Sequence, residues 1–83
     1  MITAEQCRAA RAWLAIKQDE LALRAGVGVS TLRDFERGLR SPIRQNLVAL
    51  ERALAEMGVT LLQDDAGKVV GIRVDEAKPG GGE

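Results

Sequence analysis

Eighty-three residues suit one small domain, and they carry 12 Lys and Arg against 12 Asp and Glu, with no His, one Cys, one Trp, one Phe and no Tyr. Without His and with a single Cys the chain lacks the usual zinc-ligand sets, the Ser-His and Cys-His nucleophile pairs and any internal disulfide, so neither a metal nor a cofactor is expected. No apolar run approaches the ~20 residues needed to cross a bilayer, and the start (Thr3, Glu5, Gln6, Arg8) is polar rather than basic-then-apolar, so a soluble cytoplasmic domain is expected.

Thr3 suits the N-cap of a first helix over residues 4–15, with Glu5 and Gln6 in the first turn, where acceptors and negative charge meet unpaired N–H groups. Cys7, Ala10 and Leu14 recur at the spacing of one helix face, which makes Cys7 a small core residue rather than a reactive thiol. Trp13 lies beside that stripe and reads either as a boundary core residue or as an interface anchor. Ile16-Lys17 is a short connection. Residues 18–25 form a second helix of two turns, with Asp19 and Glu20 at its positive end and Leu21, Ala22 and Ala25 on its inner face. Gly26 follows at the position where a helix usually turns left-handed, and Val27, a lone apolar residue in a turn, is expected to point inward.

A third helix is expected from Val29 to Arg37, with Leu32 and Phe35 in the core and Gly38 as its stop. Pro42 suits the start of the next element, with Ser41 as its cap. Residues 44–57 are helical in pattern (Leu47, Leu50 and Leu54, with Ala49, Ala53 and Met57 alongside), and Gly58 ends them. Residues 59–63 and 68–74 are then rich in β-branched side chains, and Asp64-Asp65-Ala66-Gly67 between them is turn chemistry, so a β-hairpin is predicted. Residues 75–83 read as a disordered tail. The expected organisation is thus a helical unit over 1–58, a hairpin over 59–74 and a tail.

The zero net charge is a sum of two unequal parts. Residues 1–58 hold nine basic against seven acidic groups, a net of +2, and residues 59–83 hold three against five, a net of −2. Within 24–44 five arginines (Arg24, Arg33, Arg37, Arg40 and Arg44) face Asp34 and Glu36, a net of +3, and arginine is the cation suited to forked contacts with phosphate and guanine. A solvated helix face of mixed charge has the same composition.

Residues 18–38 read as a short helix, a glycine-containing turn and a second short helix, the arrangement of a helix-turn-helix. In such a unit the second helix projects its N-terminal half into a groove about 12 Å wide. Its outer face here reads Val29, Ser30, Arg33, Asp34 and Arg37. A generic helix hairpin fits the same periodicity.

Gln18-Asp-Glu-Leu-Ala, Ala25-Gly-Val, Ser30-Thr-Leu and Phe35-Glu-Arg-Gly38, followed by Pro42, resemble the lambda-repressor-like (Cro/repressor-type, XRE-like) family over roughly residues 6–57. The resemblance implies a mainly α fold, a bundle of four to five helices with a helix-turn-helix, and a dimeric DNA-binding regulator whose default action is repression. It implies that Gln18 contacts phosphate at the start of the second helix, that Val29, Ser30, Arg33 and Asp34 face base edges, and that Arg37, Arg40 and Arg44 follow phosphates. It also implies a structural ion pair between Arg11 and Glu36. Lys17 and Gly28 depart from the Ser, Asn or Thr caps common at these positions in the family. The hairpin is similar to the extension that some members use for pairing, and Val59, Leu61, Val70, Ile72 and Val74 exceed what a two-stranded ribbon can shield. They are expected either to pack on the helices or to form a dimer interface.

Two other functions fit the same residues: an antitoxin that binds DNA and a toxin protein, and a helix-turn-helix module that bridges proteins. Catalysis is the least expected class, because the carboxylates form no recognisable pair and no His supports them.

Overall fold

The computed structural model describes residues 1–67 and 69–75, in the order α1 (Ala4–Leu14), α2 (Gln18–Ala25), α3 (Val29–Glu36), α4 (Arg44–Glu56), β1 (Val59–Gln63) and β2 (Val69–Val74). The chain is mainly helical, with a C-terminal two-stranded antiparallel sheet. α1 starts on a capping box: Thr3 Oγ1 accepts from the Gln6 N–H at 3.1 Å, and Gln6 Oε1 accepts from the Thr3 N–H at 3.3 Å. The next three helices start without a side-chain cap, at Lys17, Gly28 and Ile43.

The first three helices end alike. The Gly26 N–H donates to the Leu23 carbonyl and the Val27 N–H to the Ala22 carbonyl, the paired bonds of a left-handed helix stop with Gly26 at φ 71°. The same pairing closes α3 at Gly38, and it closes α1 at Ala15, which holds φ 58° without being glycine. Ala15, expected to be helical, is therefore the turn residue.

The core is formed by Ile2, Cys7, Ala10, Leu21, Ala22, Val27, Leu32, Phe35, Leu50, Ala53, Leu54, Met57 and Val59. α2 packs on α3 and α4, α1 on α3, β1 on α4, and β2 touches α1. Gly58, at φ 96°, folds the chain back so that β1 lies along α4. The register pairs Val59 with Val74, Leu61 with Ile72 and Leu62 with Gly71, then Gln63 with Val69, leaving Val70 as an extra residue in β2.

Three expectations are corrected. Ser41 does not cap α4: Ile43 occupies that position with extended backbone (φ −63°, ψ 157°) and no side-chain hydrogen bond. Val59, expected at a dimer interface, is only 1% exposed, because the fold-back at Gly58 seats it in the chain's own core. Asp75, expected to open the tail, donates its N–H to the Gly58 carbonyl at 2.9 Å and closes the sheet. Lys68 and residues 76–83 lie outside the described residues.

Candidate nucleic-acid interface

The unit of α2, a three-residue turn (Gly26–Gly28) and α3 presents the expected face. Leu32, Phe35 and Glu36 turn inward, while Val29, Ser30, Arg33 and Arg37 are exposed and Asp34 is half-buried. A helix of 3.6 residues per turn produces this split for Ser30, Arg33, Asp34 and Arg37 once Leu32 and Phe35 are fixed in the core, with Val29 at its margin. Arg33, Arg37 and Arg44 form no ion pair among the described residues. Arg40 Nη2 lies 4.0 Å from Asp34 Oδ2, so the acidic group on the outer face of α3 has a cation beside it. Arg24 pairs instead with Glu20 on its own helix, at 3.3 Å.

Glu36 is the hub beneath this face. Arg11 Nη2 lies 2.7 Å from Oε1 and Arg11 Nε 2.8 Å from Oε2. Gln18 Nε2 donates to Oε1 at 2.9 Å, and the Cys7 thiol donates to Oε2 at 3.0 Å. Arg8 Nη1 donates to the Glu36 main-chain carbonyl. Burial acts to raise the Glu36 pKa, but the hydrogen bonds from Arg11, Gln18 and Cys7 together outweigh it and hold the carboxylate below its usual range. Burial, followed by the adjacent carboxylate, pushes the Cys7 thiol well above its ordinary pKa, so it remains a thiol.

Gln18 is thus held from below: one amide N–H is tied to Glu36 while its helix starts with no side chain on the first N–H groups. α3 and α4 likewise begin uncapped, at Val29 and Arg44. Each of these three helices begins with one of the expected contact residues (Gln18, Val29 and Arg44), with N–H groups left for a solvent or ligand acceptor.

Several contributors give no sequence signal. Gln6 is buried, and its Nε2 donates to the Gly71 carbonyl at 2.6 Å, joining α1 to β2. Cys7 and Arg8 join α1 to Glu36. Leu61, Ile72 and Val74 are partly buried against the helices, and Val70 alone of the expected interface side chains is largely open, at 61%. Trp13 is also partly exposed. No cluster of three His, Cys, Asp or Glu occurs among the described residues, and none of their helices is long and apolar enough to cross a membrane.

A helix-turn-helix family profile matches residues 8–62. Among solved structures, the DNA-binding domain of the P22 C2 repressor, determined by nuclear magnetic resonance, is similar with a TM-score of 0.59 and 34% sequence identity, over 66% of this chain and 72% of that one. No curated protein matches. On the extent of the profile match, together with the uncapped α2–turn–α3 unit and its polar outer face, the chain belongs to the lambda-repressor-like, XRE-type helix-turn-helix family of DNA-binding regulators.

Proposed function

We propose that the chain is a sequence-specific double-stranded DNA-binding transcriptional regulator, a repressor that acts as a homodimer by occluding a promoter. The observation that carries this is the exposure of Val29, Ser30 and Arg33 at the start of α3 while Leu32 and Phe35 are anchored in the core. The DNA-binding function of the similar P22 repressor domain supports it.

In this reading the N-terminal half of α3 enters the major groove. Val29 offers an apolar contact for a thymine methyl, Ser30 donates or accepts, Arg33 forks onto guanine O6 and N7, and Asp34 accepts from cytosine N4. Gln18 and the free N–H groups at the start of α2 converge on one phosphate. Arg37, Arg40 and Arg44 follow the strand on either side. Arg11 and Glu36 hold α1, α2 and α3 in register beneath the interface and touch no DNA.

Selection of bound sites from random duplex DNA tests the proposal. A palindromic pair of half-sites is expected, and an Arg33→Ala variant should relax preference at one base pair at a cost of roughly 1–3 kcal/mol. Failure to enrich any site overturns it.

A further inference from the structure

The carboxylate of Glu36 is locked from the α1 side before it meets α2. Arg11 approaches it as a fork, with Nη2 2.7 Å from Oε1 and Nε 2.8 Å from Oε2, and the Cys7 thiol donates to Oε2 at 3.0 Å. Arg11 and Cys7 both belong to α1, and the Glu36 side chain is only 2% exposed. The carboxylate plane therefore has no freedom to turn, and the place of Oε1 is set by α1. Gln18 Nε2 donates to that same Oε1 at 2.9 Å. An ionised carboxylate can only accept, so the Gln18 amide has one permitted sense, nitrogen toward Glu36 and oxygen away.

Gln18 keeps one N–H on Nε2 that Glu36 does not use. It is the first residue of α2, whose N-cap, Lys17, makes no side-chain hydrogen bond. The charge beneath it is matched, because Arg11 offsets the Glu36 carboxylate, so an anion approaching Gln18 does not face a bare negative charge. A long amide side chain ordinarily loses rotamer freedom when it takes hold of a ligand. Here the bond to Glu36 has already removed much of that freedom in the folded chain.

We propose that Glu36 is a positioning residue for DNA binding: it holds the Gln18 amide in the sense that leaves the second Nε2 N–H as a donor to a phosphate oxygen. The inference deepens the phosphate contact assigned to Gln18 in the proposed function and rests on that reading. It gives the buried fork a task besides joining α1 to α3. The sign of one substitution separates this task from general electrostatics. Glu36→Gln removes a negative charge from beneath the face proposed to meet DNA, which by itself tightens binding to a polyanion. The same change leaves a single oxygen for the donors of Arg11, Gln18 and Cys7. The sense of the Gln18 amide is then no longer fixed, and binding weakens.

Duplex affinity of the full chain, measured in a cycle of Gln18→Ala, Glu36→Gln and the double variant, tests the assignment, with circular dichroism to check that each is folded. A random-sequence duplex serves as the probe, since a phosphate contact carries no sequence information. Gln18→Ala should weaken binding about tenfold, and Glu36→Gln should weaken it by a similar factor despite the lost negative charge. In the Gln18→Ala background, Glu36→Gln should weaken it no further. The wild-type chain supplies a second readout that needs no variant. One side-chain amide proton of Gln18 should be protected from exchange with water both free and bound to DNA, and the other should gain protection only on binding. The proposal is overturned if Glu36→Gln binds at least as tightly as wild type, or if the two losses simply add. It is equally overturned if neither Gln18 amide proton is protected in the free chain, or if that protection is lost on binding. All these outcomes leave DNA binding itself intact. A folded wild-type chain that binds no duplex, even at low salt, overturns the DNA reading and this inference with it.

Discussion

The Glu36 carboxylate holds Arg11 through both oxygens, with Nη2 2.7 Å from Oε1 and Nε 2.8 Å from Oε2, and this fork ties α3 to α1. The Glu36 side chain is only 2% exposed and the Arg11 side chain 21%, so loss of the arginine leaves a buried charge unmatched. Arg11→Ala should cost about 3 kcal/mol in urea unfolding. Arg11→Lys should recover little of this, because a single ammonium cannot reproduce the two parallel bonds. A lysine variant as stable as wild type would show that charge alone matters at this contact.

The same hub shapes the pH dependence of stability. The Glu36 pKa is lower in the folded chain than in the unfolded one, so its contribution is complete above the unfolded value, about 4.3, and disappears as pH falls through the folded value. The Cys7 pKa is raised on folding, so its contribution is complete below the unfolded value, about 8.5, and declines as pH rises beyond it. Urea midpoints should fall at both ends, with the acid decline shallower in Glu36→Gln and the alkaline decline shallower in Cys7→Ala. An unchanged acid limb in Glu36→Gln would assign that limb to other carboxylates.

Two helix stops make opposite predictions. Ala15 holds φ 58° with a side chain, and replacing it with glycine should raise stability by about 0.5–1 kcal/mol. Gly26 holds φ 71° with open space around the position of a Cβ, so Gly26→Ala meets no clash and should cost only the backbone strain, about 1 kcal/mol. Gly26→Asn should cost less, since asparagine tolerates the left-handed region. Melting temperatures of the three variants check the order.

Gln6 has two roles at once, capping α1 through Oε1 and bonding the Gly71 carbonyl through Nε2. Gln6→Ala should lower stability by about 1–3 kcal/mol, because it removes both the cap of α1 and the bond that joins α1 to β2. Gln6→Glu keeps the cap acceptor but faces Gly71 with an oxygen, and should behave almost as badly. Amide exchange in β2 should rise in both variants. Unchanged protection there would mean that α1 does not hold the strand.

Asp34 and Arg40 lie 4.0 Å apart on the face proposed to meet DNA. Asp34→Asn removes one negative charge and releases Arg40 for phosphate. Non-specific duplex affinity should increase, and the slope of log affinity against log salt should steepen by about 1. Discrimination at the base pair that the proposed function assigns to Asp34 should weaken in the same titration series. A flat salt response would place Arg40 away from the backbone.

The turn residues make α2 and α3 legible from the chain alone, since Gly26 and Gly38 both sit at positive φ where their position after an apolar-periodic run demands it. The outer face of α3 is legible for the same reason, because placing Leu32 and Phe35 inward leaves Ser30, Arg33 and Arg37 no other direction, while Val29, three residues before Leu32, lies at the margin of that face and is 38% exposed. Val59 shows what periodicity omits. Alternation places it on the apolar face of a strand, but only the fold-back at Gly58 decides that this face meets its own α4. Links between distant positions leave no local mark: Gln6 to Gly71 and Cys7 to Glu36 join residues 65 and 29 positions apart. Arg40 reaches Asp34 because the chain turns back over the end of α3 at Gly38, which charge counting along the sequence does not reveal.

α1 is fastened at both sides, to α3 through Cys7, Arg8 and Arg11 and to β2 through Gln6. It acts as a strut between α3, the proposed reading head, and the strand ribbon. If two copies join at their ribbons, this strut fixes the distance and angle between their reading heads. Adding one base pair between half-sites turns the second half-site about a tenth of a helical revolution. A pair so braced would work as a fixed gauge for operator length, with little slack to follow that rotation.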